Sequence, residues 1–109
     1  MPKPLSDAEI TTELAGLDGW SYASPAADAP AAIVRVEEFV SFPVAIDAVG
    51  QVAQEAEQLD HHPDMDIRWR TVTFRCWTHT ENAVTQLDLQ LARRIEAVIE
   101  ALRSTDEAV

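Results

Sequence analysis

The spacing of apolar positions switches between three-to-four and two along this chain, and each switch marks a new element. Ser6 and Glu9 stand as the two ends of a capping box, and Leu5 and Ile10 as the two halves of a hydrophobic staple. Ile10, Leu14 and Leu17 follow as one apolar stripe. This predicts a first helix that ends near Gly16 to Gly19. Gly19-Trp20-Ser21-Tyr22 reads as a short strand. Residues 23–31, ASPAADAPA, hold two prolines and no large apolar group, and read as a hairpin loop. Ile33, Val34 and Val36, with Phe39 and Val40 just beyond, give a second strand through their β-branched content.

Ser41 is placed to cap a second helix, with Pro43 tolerated in its first turn. Phe42, Ala45, Ile46, Val49, Val52, Ala53, Ala56 and Leu59 recur at three and four residues, which predicts one buried face. Pro63 marks the end of that helix, because the residue before a proline is pushed out of the helical region. The period then drops to two. Ile67 and Trp69 belong to a third strand, with a turn near Arg70-Thr71. Val72, Phe74 and Cys76 alternate with Thr73, Arg75 and Trp77 in a fourth. Thr85 and Asp88 have capping-box spacing, and Leu91, Ala92, Ile95, Val98, Ile99 and Leu102 define a last amphipathic helix.

The order is α-β-β-α-β-β-α. Strands that arrive in hairpin pairs build an antiparallel sheet. The expectation is therefore an α+β fold of two layers, a four-stranded antiparallel sheet with three helices on one face. The other face is left to solvent or a partner. At 109 residues one domain over 1–109 is expected, with 1–4 and 104–109 frayed.

Composition narrows the function. Net charge is −11, which excludes a phosphate-binding surface for nucleic acid and argues against an anionic membrane. No apolar run approaches the ~20 residues of a membrane span, and MPKPLSDAEI lacks the core of a signal peptide. A cytoplasmic protein is expected. A single cysteine, Cys76, cannot form an internal disulfide, and its place in the alternation makes it inert packing.

The chemistry concentrates in EQLDHHPDM, residues 57–65, which carries two of the three histidines. Adjacent His61 and His62 diverge by about 100° on a helix and about 180° on a strand, a poor start for a metal site. As acid–base groups they are better placed, since imidazole can both take and give a proton near neutral pH. Glu57 stands four residues before His61 and shares its face on a continuing helix, where it would orient the ring. His79 ends the fourth strand. Equally, His61 and His62 suit a polar helix C-terminus, His79 an ordinary strand end, and Asp88 a capping acid. Asp88, however, shares a face with Leu91, Ala92 and Ile95 and points inward. Trp20 and Trp69 are expected in the core; Trp77 shares the outer sheet face with Thr73 and Arg75.

Taken together, Glu57, His61-His62-Pro63, Trp69, His79 and Asp88 at these spacings resemble the signature of the pterin-4a-carbinolamine dehydratases. The likeness runs from about Leu5 to Leu102. It implies the same α+β fold and a hydro-lyase reaction: water is eliminated from 4a-hydroxytetrahydrobiopterin to give quinonoid dihydropterin, recycling the pterin cofactor of aromatic amino-acid hydroxylases. By the resemblance, His61 and His79 form the acid–base pair, His62 binds and orients the pterin, and Glu57 and Asp88 tune or hold the histidines. Pro63, Thr78, Thr80 and Glu81 would line the pocket beside the histidines. It further implies no metal and no cofactor, a small-molecule pterin as substrate, and a homodimer or homotetramer.

Three features depart from the family pattern. Thr80-Glu81-Asn82-Ala83-Val84 lacks glycines common there, Trp77 replaces a smaller residue, and the loop 23–31 is longer than usual. Two other roles fit the same resemblance: a protein-binding or assembly partner without catalysis, and dehydration of a different pterin.

Overall fold

The computed structural model describes residues 2–107, with 104–107 as backbone alone. Ser6 opens α1 (Asp7–Leu14) through the expected box. Its hydroxyl accepts from the Glu9 amide at 3.1 Å, and the Glu9 carboxylate accepts from the Ser6 amide at 2.9 Å. The chain leaves α1 through successive turns, Leu17 N–H to Leu14 and Trp20 N–H to Leu17. Gly19 sits at φ 87 there, in a region that side chains rarely adopt.

β1 (Trp20–Ala23) and β2 (Ala32–Glu38) form the first hairpin, from Trp20 opposite Arg35 to Ala23 opposite Ala32. β3 (Asp64–Arg68) and β4 (Thr71–Cys76) form the second. β2 and β4 pair antiparallel in the middle, so the sheet runs β1-β2-β4-β3. Ile33, Val72, Phe74 and Cys76 point to the helix side and are fully buried. Val34, Val36, Thr73 and Arg75 share the other face, which no helix covers. The four-stranded antiparallel sheet, the three helices and their order all agree with the pattern of the sequence.

α2 (Phe42–Leu59) is capped by Ser41 as expected, but it buries a narrower face than its apolar pattern suggests. Ala45, Ala48, Val52 and Ala56 pack inward, and the small alanines let the helix lie close to its neighbours. Phe42 is 48% exposed, Ile46 is 43% exposed, and Ala53 also faces out, with Val49 half-buried. These four stand at i, i+4, i+7 and i+11, the spacing of a coiled-coil seam. The helix therefore has a second apolar stripe, of which only Val49 packs against the core.

Two tryptophans part company. Trp20 is in the core, as expected, and its indole N–H donates to Glu96 at 2.9 Å. Trp69 is not. It occupies the two-residue turn between β3 and β4 at φ 55, 70% exposed, with the Arg70 guanidinium 4.7 Å from its ring centre. Strand alternation ends at Arg68, so the inward position expected for Trp69 does not exist.

α3 (Gln86–Glu107) lies across the sheet and beside α2. Leu89, Leu91, Ala92, Ile95 and Ile99 close the core. Arg35 and Glu96 tie β2 to α3 at 2.6 Å, and the same guanidinium meets Glu37 at 3.0 Å. Fraying expected at residues 1, 108 and 109 lies outside the described residues. Within them, Leu5 N–H bonds the Val84 carbonyl at 2.9 Å, and α3 continues to Glu107. Among the described residues, no helix is long and apolar enough to cross a membrane.

Candidate active site

Asp60 decides where the two histidines go. It closes α2 in the left-handed conformation at φ 51, and the amides of Asp60 and His61 return to the last turn, His61 N–H to the Ala56 carbonyl at 3.0 Å. A left-handed residue at this point reverses the chain. His61 is thereby turned inward and buried, while His62 stays on the surface. Pro63 follows and starts the run into β3.

That reversal changes the pairing expected from spacing. Glu57 does not hold His61. Its Oε2 instead meets Nε2 of His62, five residues on, in an exposed pair. His61 takes the carboxylate of Asp88, with Nε2 at 2.6 Å from Oδ1. The i, i+4 relation assumed a continuing helix, and the helix has already ended.

Asp88 is 0% exposed, and every contact it makes is with a donor. It is the inward end of the capping box at the start of α3. The Thr85 amide donates to Oδ2 at 2.9 Å, and the Thr78 hydroxyl donates to the same oxygen at 2.8 Å. Since Thr78 has spent its only proton on Asp88, the hydroxyl of Thr85, 2.7 Å away, donates to Thr78. Thr85 Oγ1 in turn accepts from the Leu87 amide at 3.2 Å. A chain of donors thus runs from the first turn of α3 into the carboxylate. The remaining oxygen, Oδ1, is left for the imidazole. A carboxylate can only accept, so a neutral His61 paired with an ionised Asp88 holds its proton on Nε2 and leaves the lone pair of Nδ1 free.

His79 is brought to the same place by a tight loop. Thr78 and Ala83 pair through N–H to carbonyl bonds of 2.8 and 3.4 Å, so residues 79–82 form its tip. Asn82 takes φ 50, a left-handed position at which asparagine is tolerated. This is how the segment turns without the glycines it lacks.

A cavity of about 280 Å³ opens between these pieces. His61, His62, Thr78, His79 and Thr80 line it, together with Asp60, Trp77, Leu87 and Pro2. Glu57 and Asp88 stand behind His62 and His61 respectively. Pro63 and Glu81 are not on its wall. The volume lies near the lower end of the ~300–1,000 Å³ range of small-molecule sites. Among the described residues, no three His, Cys, Asp or Glu side chains converge as a metal site would require.

Sequence reasoning missed Asp60, Leu87, Trp77 and Pro2. Trp77 continues the outward alternation of Thr73 and Arg75 one residue past the end of β4, and from that position its indole borders the cavity. Its spacing of two before His79 was the available signal. Pro2 lies in a stretch with no pattern at all. Cys76, beneath the site, has its thiol pushed well up from the ordinary range by burial first and then by the charges of Asp88 and Asp64.

The α+β fold thus gathers three imidazoles at one cleft, one of them held by a buried carboxylate. The chain belongs to the pterin-4a-carbinolamine dehydratase family: the model described as Pterin 4 alpha carbinolamine dehydratase matches residues 3–98. A relative from Mycobacterium avium (strain 104), provisionally named a pterin-4-alpha-carbinolamine dehydratase, is 47% identical over 95 residues, 87% of this chain and 95% of its own. One from Mycolicibacterium vanbaalenii with the same provisional name is 44% identical over 95 residues, 87% of this chain and 96% of its own. Among solved structures, a transcriptional coactivator/pterin dehydratase from Brucella melitensis superposes with a TM-score of 0.80 at 36% identity, covering 88% of this chain and 98% of that one. A pterin dehydratase-like RuBisCO assembly factor of the alpha-carboxysome shares the fold, with a TM-score of 0.61 at 16% identity over 75% of this chain and 90% of its own.

Proposed function

We propose that the protein is a hydro-lyase that removes water from 4a-hydroxytetrahydrobiopterin-type pterins to give the quinonoid dihydropterin, so that the cofactor of an aromatic amino-acid hydroxylase can be reduced and reused. The observation that carries this reading is the His61–Asp88 pair at the cavity wall, with His79 and His62 on the same cavity.

The reaction breaks one carbon–oxygen bond. The carbinolamine hydroxyl leaves C4a as water once it receives a proton, and a proton is lost from the ring nitrogen whose electron pair forms the new double bond. No change of oxidation state occurs, so no reductant or cofactor is required. A positioned acid and base suffice, each worth about 10²–10⁴-fold. His61 and His79 fill these roles. Nδ1 of His61 is available as a base while Asp88 holds the ring from behind and steadies the imidazolium that forms. His62, held by Glu57, orients the pterin, and Thr78 and Thr80 contribute polar groups to its edge. The exposed loop position of His79 suits a group that exchanges protons with water.

We propose further that the protein works as a homodimer or homotetramer in the cytoplasm. The exposed Phe42, Ile46 and Ala53 on α2, beside the half-buried Val49, support self-association, since a seam at this spacing fits a copy of itself. The names of the two structural relatives also attach this fold to partner proteins. The intact histidine–carboxylate site is what favours catalysis here.

Stopped-flow absorbance on chemically generated 4a-hydroxytetrahydropterin tests the reaction. The purified protein is expected to accelerate its loss without added metal or nucleotide. Decay at the buffer rate rejects the reading.

A further inference from the structure

We propose that Trp77, anchored by Asp64, is a positioning residue that sets the orientation of the His79 imidazole; the inference rests on the dehydratase reading above. Among the described residues, no side chain holds the His79 ring by a hydrogen bond as Asp88 holds His61 or Glu57 holds His62. Its ring is oriented by packing instead. The Trp77 and His79 ring centres are 4.0 Å apart, with planes inclined at 44°. An indole at this distance covers one face of the imidazole and leaves its edge toward the cavity, which both residues line.

Stacking orients a partner only if the stacking ring is itself fixed. The indole N–H of Trp77 donates to Oδ2 of Asp64 at 2.8 Å. Asp64 opens β3 directly opposite Arg75, two residues before Trp77 on the neighbouring strand. The bond therefore runs diagonally across the β3–β4 ladder. It holds the indole beyond the last paired residue of β4, where the backbone alone would leave it free to turn to solvent. The three imidazoles of the site are thus each held from outside the cavity: His61 by Asp88, His62 by Glu57, and His79 by Asp64 acting through Trp77. Asp64 does not line the cavity, and because Asp64→Ala and Asp64→Asn remove the same charge, a difference between them reports the anchored indole.

Two variants and a conservative control separate this from simple packing. Trp77→Leu keeps an apolar side chain but removes the ring. Asp64→Ala leaves the ring and removes its anchor. Asp64→Asn retains an acceptor. The imidazole Cε1–H resonance of His79 reads its place over the indole ring current. It is expected to move in Trp77→Leu and in Asp64→Ala and to stay in Asp64→Asn. In stopped-flow turnover of chemically generated 4a-hydroxytetrahydropterin, kcat is expected to fall about two- to tenfold in the first two variants, the scale of one aromatic pair, with KM little changed. Asp64→Asn keeps the rate. Asp64 is at an exposed strand start, so Asp64→Ala stays folded even if Trp77→Leu does not. A His79 resonance unmoved by Asp64→Ala overturns the assignment, as does an unchanged kcat, or a loss confined to KM, in an enzyme that turns over. Wild-type protein that fails to dehydrate the pterin overturns the proposed function instead, and the resonance then decides the Trp77 assignment alone.

Discussion

Asp88→Asn is the perturbation whose consequences follow most fully from the geometry. The side chain keeps its size, so the fully buried site is not emptied. Two donors, the Thr78 hydroxyl and the Thr85 amide, converge on one carboxylate oxygen. The amide oxygen of asparagine must take that position, which turns its NH2 toward His61. Nε2 of His61 can then no longer donate and must accept. The proton moves to Nδ1, and the nitrogen available as base becomes an N–H. The predicted loss in kcat is about 10²–10⁴-fold, the scale of one general acid or base. Stability falls by about 1.5–3 kcal/mol as one charge-assisted hydrogen bond is replaced. For a chain of this length that is a drop in Tm of roughly 6–12 °C. Asp88→Ala leaves three buried donors without a partner and costs about 3–5 kcal/mol. Nitrogen–proton correlation spectra of the His61 ring report the tautomer, stopped-flow the rate, and calorimetry the stability. Asp88→Asn with near wild-type kcat, or with His61 still protonated on Nε2, would refute the reasoning.

Three further outcomes are expected. Cys76 has its thiol raised by burial and by Asp88 and Asp64, so the folded chain holds a proton that the unfolded chain releases above about pH 8.5. Stability from this group is therefore complete below that pH and declines as pH rises past it; urea titrations from pH 7 to 10 should show a slope that is reduced in Cys76→Ala, and a slope unchanged by the substitution contradicts this. Light scattering at micromolar concentration should give a dimer or tetramer that Ile46→Glu shifts toward monomer, whereas a monomeric wild type removes the case for the α2 seam. Gly19→Ala should cost about 1–3 kcal/mol in chemical denaturation, because its φ of 87 disfavours a side chain and the new Cβ would lie 2.8 Å from the Arg35 guanidinium; a neutral substitution contradicts this.

The parts of this protein legible in its sequence are those set by contacts a few residues apart. Ser6 with Glu9 and Thr85 with Asp88 announce the starts of α1 and α3, because each capping contact closes within four residues. Val72, Phe74 and Cys76 announce β4, because alternation against a core admits one face only. What was not legible turns on single backbone choices or on partners distant in sequence. The exchange of carboxylates between His61 and His62 depends on the left-handed conformation of Asp60, which no periodicity reports. Trp69 falls in a turn where a small residue would have been a clearer signal. Phe42 and Ile46 are apolar at helical spacing and yet exposed, because a pattern with two apolar stripes does not say which one the chain covers itself. Trp77 joins the site although it keeps the outer-face alternation, because the cavity borders that face just beyond the end of β4.

The central claim is that His61 and His79 divide one dehydration between them. It is tested most directly by the turnover of chemically generated 4a-hydroxytetrahydropterin in wild type, His61→Ala, His79→Ala and the double variant, measured in one stopped-flow series. The account predicts a strong loss in each single variant, about 10²-fold or more, and a double variant near the buffer rate. Full activity in both single variants would contradict it.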